Sequence, residues 1–233
     1  MFKRLLDLWH KDDLLKQAFG DAVDMLKLSR ELFAKAAAPL FSGETADTQT
    51  IYDTDQKINI FEIEVRKKVL EHLSVSPQQD TTAALVLITI AVDVERLGDY
   101  SKNFFELWEL YGKRFNTGYV FESLREVDDN ITRMFENTIV GFENADSELA
   151  RRVMASHVEN STSCESIIAE MIQLDKEEDW LTCNQRVLVA LAARYLKRIS
   201  AHLKNIASSV VNPFDRIGFK PPDSSGDIKE YED

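Results

Sequence analysis

The stretch from Asp80 to Tyr111 constrains the fold more than any other part of the sequence, because it contains no proline and only one glycine. Apolar residues recur along it with the spacing of a helix, at Leu87, Ile90, Val94, Leu97, Phe104 and Trp108. Its first half, residues 83–92, is uncharged and apolar on nearly every side, which predicts a buried helix. As a helix this run spans about 15 Å, roughly half of a bilayer's hydrocarbon core, so we predict no membrane span.

The second half of the same helix carries two carboxylates in an unexpected place. Glu95 and Asp99 are four residues apart, so they share a helix face, and they extend the apolar row that Ile88 and Val92 begin. A buried carboxylate is unfavourable unless it is paired or bound to a metal ion. The alternative is a solvated face on which the carboxylates pair with a neighbouring cation such as Lys102.

Glycine and proline are too rare for many turns, since the chain has eight glycines and five prolines in 233 residues. Few apolar runs alternate as in a strand, so the sequence predicts an all-α protein of six long helices. We expect Asp80 to cap the third helix, and Pro39 with Gly43 to end the first. The six helices are predicted from Asp12–Asp13 to Pro39, at about 47–73, 80–111 and 119–142, after Ser147, and from Thr182 to Pro213.

An internal repeat relates the two halves of the chain. A shift of 102 residues aligns Arg96 with Arg198, Lys102 with Lys204 and Asn103 with Asn205. Because short loops make consecutive helices antiparallel neighbours, each half is predicted to be an up-down-up bundle. The predicted organisation is a first three-helix repeat at 1–114, a second at 115–213, and a C-terminal tail at 214–233.

Composition limits the classes of partner. The formal net charge is −12 and the pI is about 4.9, so the surface should repel nucleic acid and anionic lipid. The only two cysteines, Cys164 and Cys183, lack the spacing of a thiolate zinc site or a disulfide framework. A reducing compartment and a soluble protein are therefore expected.

Signatures of catalysis are absent from the sequence. No histidine has a glutamate three residues before it, which argues against a ferritin-like di-iron oxidase, and no glycine-rich nucleotide loop is present. We interpret His157 and His202 as packing residues rather than metal ligands. The prediction is a protein without enzymatic activity, although a site assembled from distant helices remains open.

The motifs resemble one known family. The string from Glu95 to Asp99, Glu-Arg-Leu-Gly-Asp, is followed by Asn103, and the preceding helix carries Asp55 and Asn59. Ser76-Pro77 and Asp80 lie between the two helices. This combination resembles the PhoU-like family of phosphate-transport regulators over about residues 14–212. The resemblance implies two tandem, pseudo-repeated three-helix bundles of long antiparallel helices.

The resemblance also implies a metal site. Family members bind metal ions, often iron or zinc clusters, through acidic pairs on the second and third helices of each repeat. By position, the candidate ligands here are Asp55, Asn59, Glu95 and Asp99. Oxygen ligands suit iron, manganese, magnesium or calcium better than a soft metal. Together with the iron or zinc that the resemblance implies, the expected cofactor is a metal ion, with iron, zinc or manganese favoured.

The sequence departs from the family pattern at several of these positions. Asn59 replaces a carboxylate in the first repeat. In the second repeat, Lys197 and Ala201 replace the acidic pair of the third helix, and Glu159 with Ser163 is a degraded counterpart on the second helix. We therefore expect one metal site, in the first repeat only.

The resemblance implies a cytoplasmic, non-enzymatic regulator of phosphate uptake. Its partners would be a phosphate transporter or its ATPase subunit, or a sensor kinase, reached at the cytoplasmic side of the inner membrane. A homodimer is expected, with no nucleic-acid partner and no integral membrane segment. Two alternatives stay open: a structural helical adaptor without metal, and a metal-dependent phosphate-ester hydrolase.

Overall fold

The computed structural model of the chain describes residues 13–76, 80–113, 118–173 and 181–219. Within these ranges the chain forms six α-helices, one short 3₁₀ turn and no β-strand. This confirms the predicted all-α class with six long helices. The helices are α1 Leu14–Phe41, α2 Thr48–Val75, α3 Thr81–Tyr111, α4 Gly118–Glu143, α5 Ser147–Gln173 and α6 Cys183–Val211.

Side-chain caps explain where α1 and α6 begin. The Asp13 carboxylate accepts a hydrogen bond from the Leu15 backbone N–H at 2.9 Å, which satisfies one free donor of the first turn. At the start of α6, Thr182 and Gln185 form a capping box, in which each side chain accepts the backbone N–H of the other residue. Both starts lie within one or two residues of the predicted ones.

Two details of the predicted helix ends differ from the structure, although α3 begins at Thr81, as expected. Asp80 precedes α3 with a φ of 61° and makes no side-chain cap, because a capping side chain requires extended backbone at that position. Its carboxylate lies instead 3.8 Å from Nε2 of His72. Pro39 does not end α1, which continues to Phe41; the proline ring is buried in the last turn, and the chain turns at Gly43 with a φ of 74°.

The two repeats share one hydrophobic core. Helices α1–α3 pack together as the first bundle and α4–α6 as the second, with α3 against α6 and α1 against α4 between them. Aromatic rings cross the α1–α4 boundary: Phe33 stacks on Phe135 at 5.4 Å, and Phe19 contacts Phe142 at 5.1 Å. The tandem three-helix bundles are confirmed, and their cores are continuous.

Helix α3 is less buried than its sequence predicted. In its first half, Leu85 and Val92 are exposed by 39% and 36%, so the helix is not surrounded by core. Ile88 is half-buried, as are Glu95 and Asp99 further along the same row. The row predicted to face the core therefore lies at its border, where α3 meets α2 and solvent.

The start of the predicted tail is anchored to α6. Residues Phe214–Arg216 form the 3₁₀ turn, and the Asn212 side chain donates hydrogen bonds to the carbonyl groups of Arg216 and Phe219. The proposed boundary at 114/115 and the remainder of the tail fall outside the described residues, so the three-part division stays a prediction. No helix within the described ranges is both long and apolar enough to cross a lipid bilayer.

Candidate functional site

A glycine on α3 sets the distance between α2 and α3 at the predicted site. A Cβ atom added at Gly98 would lie 3.1 Å from Cδ1 of Ile58 and 3.7 Å from a carboxylate oxygen of Asp55. Only a residue without a side chain allows this approach without displacing Ile58. The glycine of the sequence motif thus brings the polar face of α2 against that of α3.

Lys102 connects the two helices at this contact. Its Nζ lies 2.8 Å from Oδ2 of Asp55 on α2 and 3.3 Å from Oδ1 of Asp99 on α3. Asp55 is only 6% exposed, so its charge is compensated mainly by this ammonium group. Two of the four predicted ligands are therefore brought together, with a lysine between them.

Glu95 lies beside Asp99 on α3 with little compensating charge. Arg96 contacts both carboxylates, at 3.5 Å for Glu95 and 3.1 Å for Asp99. Burial raises the pKa of Glu95, and the negative charges of Asp99 and Glu62 raise it further, while Arg96 lowers it. A raised carboxylate pKa means that this environment disfavours negative charge and would favour an added cation.

Glu62 is a member of the cluster that the sequence prediction missed. Its negative charge reaches Glu95, its side chain is only 13% exposed, and its carboxylate pairs with Arg66 at 2.7 Å. The signal was present in the sequence, because Asp55, Asn59 and Glu62 follow one another at spacings of four and three residues. Asn59 lies half-buried on α2 between the two carboxylates.

The cluster keeps an excess of negative charge. Its four carboxylates are opposed by three cations, which leaves a formal charge of −1; the members are Asp55, Glu62, Glu95 and Asp99 against Arg66, Arg96 and Lys102. Carboxylate and amide oxygens from facing helices are suitable ligands for a divalent cation. Over the described ranges, however, no three His, Cys, Asp or Glu side chains are arranged around a common point as a metal site. The residues fit a metal ion in type and charge, while Lys102 holds two of them.

The equivalent contact in the second repeat has a different chemistry. Ser200 occupies the position of Gly98, and its hydroxyl lies 2.9 Å from Nδ1 of His157 on α5. Lys197, at the position of Glu95, pairs with Glu165. The pKa of His157 is lowered to about 4, chiefly by burial and additionally by the positive charges of Lys204 and Lys197.

The structure changes the predicted correspondence on α5. Glu159 and Ser163, the expected counterparts of Asp55 and Asn59, are both exposed. His157 instead faces Ser200, as Asp55 faces Gly98 in the first repeat. No acidic pair therefore meets α6 at this position.

A second polar cluster, also missed from the sequence, joins the two repeats. Asp93 on α3 is 8% exposed and accepts a hydrogen bond from Asn205 at 3.0 Å, and its Oδ1 lies 2.7 Å from Nδ1 of His202. The His202 ring stacks on Tyr100 at 5.7 Å, and Arg198 donates to the Tyr100 hydroxyl at 3.1 Å. Asp93 was detectable as the one charge interrupting an apolar run, but its partners on α6 were not.

Comparison with known families agrees with the repeat structure. A model described as the PhoU domain matches the chain twice, at residues 22–107 and 124–210. The first match contains all four predicted site residues, and the second covers most of α4 to α6. These matches confirm the family resemblance that the motif on α3 indicated. No curated protein matches the sequence.

Solved structures share the fold at low sequence identity. PhoU from Pseudomonas aeruginosa superposes with a TM-score of 0.77 at 18% identity, covering 87% of this chain and 97% of its own. The phosphate transport system regulatory protein PhoU from Streptococcus pneumoniae gives a TM-score of 0.74 at 16% identity, covering 84% of this chain and 93% of its own. The arrangement of six helices is thus common to all three proteins.

Proposed function

The chain belongs to the PhoU family, and we propose that it is a non-enzymatic regulator of phosphate uptake that binds a metal ion in its first repeat. One observation supports the metal site above the others: carboxylates from α2 and α3 lie in one cluster beside Gly98, and the cluster keeps a formal charge of −1. Family membership supports the regulatory role. The S. pneumoniae relative is named as a phosphate transport system regulatory protein.

Each predicted ligand has a distinct place in this proposal. Glu95 and Asp99 would supply carboxylates from α3, Asp55 a carboxylate from α2, and Asn59 an amide oxygen from α2. Glu62 adds a carboxylate next to Glu95. A bound cation of iron, zinc or manganese would supply the positive charge that links the two helices, so binding would stabilise the first bundle.

The proposed partners follow from the family. We expect the chain to contact a phosphate transporter or its ATPase subunit, or a sensor kinase, in the cytoplasm next to the inner membrane. The acidic surface, with a net charge of −12, favours basic patches on those partners. A homodimer is proposed and is tested by sedimentation at two protein concentrations.

Metal analysis of the purified protein tests the central proposal. We expect one or more equivalents of iron, zinc or manganese per chain, lost in the Glu95→Ala/Asp99→Asn variant. A matched control is Glu122→Ala/Glu126→Gln, which removes two exposed carboxylates of the same spacing from α4. The control should retain the metal. If the wild-type protein takes up no metal after incubation with each ion, the metal site is wrong.

A structural adaptor without metal is the second candidate. The observation that favours it is Lys102, which already pairs with both Asp55 and Asp99. This candidate predicts that a protein stripped of metal by a chelator keeps its partner binding and its melting temperature. The metalloregulator predicts that at least one of the two changes.

A further inference from the structure

The ammonium group of Lys102 occupies the position between the helices that a bridging cation would take. It contacts one carboxylate from each helix, Asp55 at 2.8 Å and Asp99 at 3.3 Å, and its side chain is 20% exposed. Although burial alone would lower the pKa of Lys102, its interactions with these carboxylates raise it. The cluster thus contains its own cation.

We propose that Lys102 is an internal counter-ion that a divalent metal ion displaces from Asp55 and Asp99, so that metal binding releases the lysine side chain toward solvent. This inference rests on the proposed metal site. It adds a competitor for that site and a conformational consequence of binding.

The net charge of the cluster supports replacement of the Lys102 ammonium group by the metal ion rather than binding of the metal ion beside it. With Lys102 in place the formal charge is −1, and replacing the ammonium group by a divalent ion brings it to zero. Retaining both would make the cluster positive. A metal ion about 2.0–2.6 Å from a carboxylate oxygen would also lie close to the ammonium group on the same carboxylate, and the two cations would repel each other.

The released side chain has a carboxylate within reach. Glu106 lies four residues after Lys102 on α3, at the spacing at which helical side chains interact. Both groups already interact with Tyr52 of α2. Glu106 accepts a hydrogen bond from the Tyr52 hydroxyl at 2.9 Å and raises the pKa of that hydroxyl. The charge of Lys102 lowers the same pKa by a smaller amount. A rotation of the Lys102 side chain toward Glu106 would use this spacing of helical neighbours.

The second repeat lacks this arrangement. Lys204, the counterpart of Lys102, donates to the carbonyl of Gly218 rather than to a pair of carboxylates. Metal-dependent release is therefore expected of Lys102 alone, and Lys204 provides an internal reference.

Calorimetric titration with Mn²⁺ gives the first test. Lys102→Met should bind Mn²⁺ roughly tenfold more tightly than the wild type, because a competing buried cation has been removed. The matched control is Lys67→Met, which removes an exposed lysine paired with a carboxylate three residues earlier on its own helix, as Lys102 is with Asp99. The control should bind like the wild type.

Amine acylation followed by mass spectrometry gives the second test and needs no Lys102 variant. Mn²⁺ should increase the labelling of Lys102 in the wild type, leave Lys204 unchanged, and have no effect in Glu95→Ala/Asp99→Asn. If the wild type and Lys102→Met bind Mn²⁺ with equal affinity and the labelling is unchanged, the proposed displacement of Lys102 is wrong, while the metal site stands. If neither protein binds Mn²⁺, the displacement and the metal site both fail. If Lys102→Met binds Mn²⁺ and the wild type does not, the result supports a lysine that competes with the metal ion.

Discussion

The α2–α3 contact of the first repeat and the α5–α6 contact of the second occupy equivalent places in the fold but differ in their charged residues. Glu95 and Asp99 of the first contact are replaced by Lys197 and Ala201 in the second. The first keeps excess negative charge around Gly98. In the second, Lys197 is paired with Glu165.

This comparison shows that the two repeats share the arrangement of their helices but differ in the polar side chains at the equivalent helix contact. Apolar positions on α3 and α6 pack alike, and residues shared by both repeats, such as Arg96 and Arg198, do not distinguish them. Four positions of the contact differ between the repeats, and in the second repeat they give an ion pair and a hydrogen bond where the first has a cluster of carboxylates. We therefore propose the metal site for the first repeat, whose contact keeps an excess of negative charge.

Giving the first repeat the residues of the second should have the largest effect. Glu95→Lys/Asp99→Ala should lower metal affinity by more than about a hundredfold, because it removes two carboxylates and adds a positive charge. Calorimetric titration with Mn²⁺ measures this. The reciprocal variant, Lys197→Glu/Ala201→Asp, should bind no second ion, since α5 presents His157 where α2 presents Asp55, and its nearest carboxylate, Glu165, is 62% exposed. A second bound ion in that variant would contradict the difference between the two contacts.

Filling the close contact should destabilise the first bundle. Gly98→Leu should lower the free energy of unfolding by about 3 kcal/mol, because its side chain would overlap Ile58, which a Cβ atom alone approaches to 3.1 Å. Denaturant titration monitored by circular dichroism measures the change. Gly20→Leu is the control: nothing lies within 4 Å of a Cβ atom at this exposed helical position, so it should be neutral or slightly stabilising. Equal effects at both glycines would show that the contact at Gly98 is loose.

Acid should weaken the second repeat through His157. Its folded-state pKa of about 4 lies below the usual 6.5, so the unfolded chain binds the proton more readily, and stability is lost as the pH falls from about 6.5 to 4. Allowing for screening by solvent, the loss attributable to this residue is about 1–2 kcal/mol. His157→Gln should remove that part of the pH dependence while keeping a hydrogen bond to Ser200. Unfolding curves at pH 7 and pH 4.5 for both proteins measure it, and parallel losses in both would contradict the assignment.

Restoring the missing carboxylate should give the smallest effect. Asn59→Asp should raise metal affinity several-fold, about 1 kcal/mol, because a charged oxygen ligand replaces a neutral one on the same face of α2. Titration with Mn²⁺ measures the change. Asp99 and Glu95 must be intact for the gain to appear, so the same substitution in Glu95→Ala/Asp99→Asn is the control. A gain in that background would place the ion elsewhere.

Much of this architecture could be predicted from the sequence. The fold and the candidate site were predictable for different reasons. Long apolar periodicity and rare glycine placed the six helices within a few residues, because both are local properties of the chain. The side-chain cap at Asp80 was predicted wrongly, because this residue has a left-handed backbone and its carboxylate lies 3.8 Å from Nε2 of His72. A contact between two helices of this kind is not a local property of the chain.

The sequence predicted which helices carry the candidate ligands, but not how these side chains pair. Spacing and resemblance placed Asp55, Glu95 and Asp99 on facing helices, and the same spacing rule would have found Glu62. The bridge made by Lys102 could not be read, because it depends on the rotation of α2 relative to α3 and on which side chain reaches across. Long-range pairings of this kind depend on how the helices pack in the folded bundle.

A crystal structure of the protein grown with Mn²⁺, with anomalous differences collected near the manganese edge, tests the central claim most directly. The account predicts a peak between α2 and α3 within about 2.6 Å of oxygens of Glu95 and Asp99, Lys102 turned away from Asp55, and no peak between α5 and α6. Lys102 still bridging Asp55 and Asp99, with no peak between these helices, would contradict it.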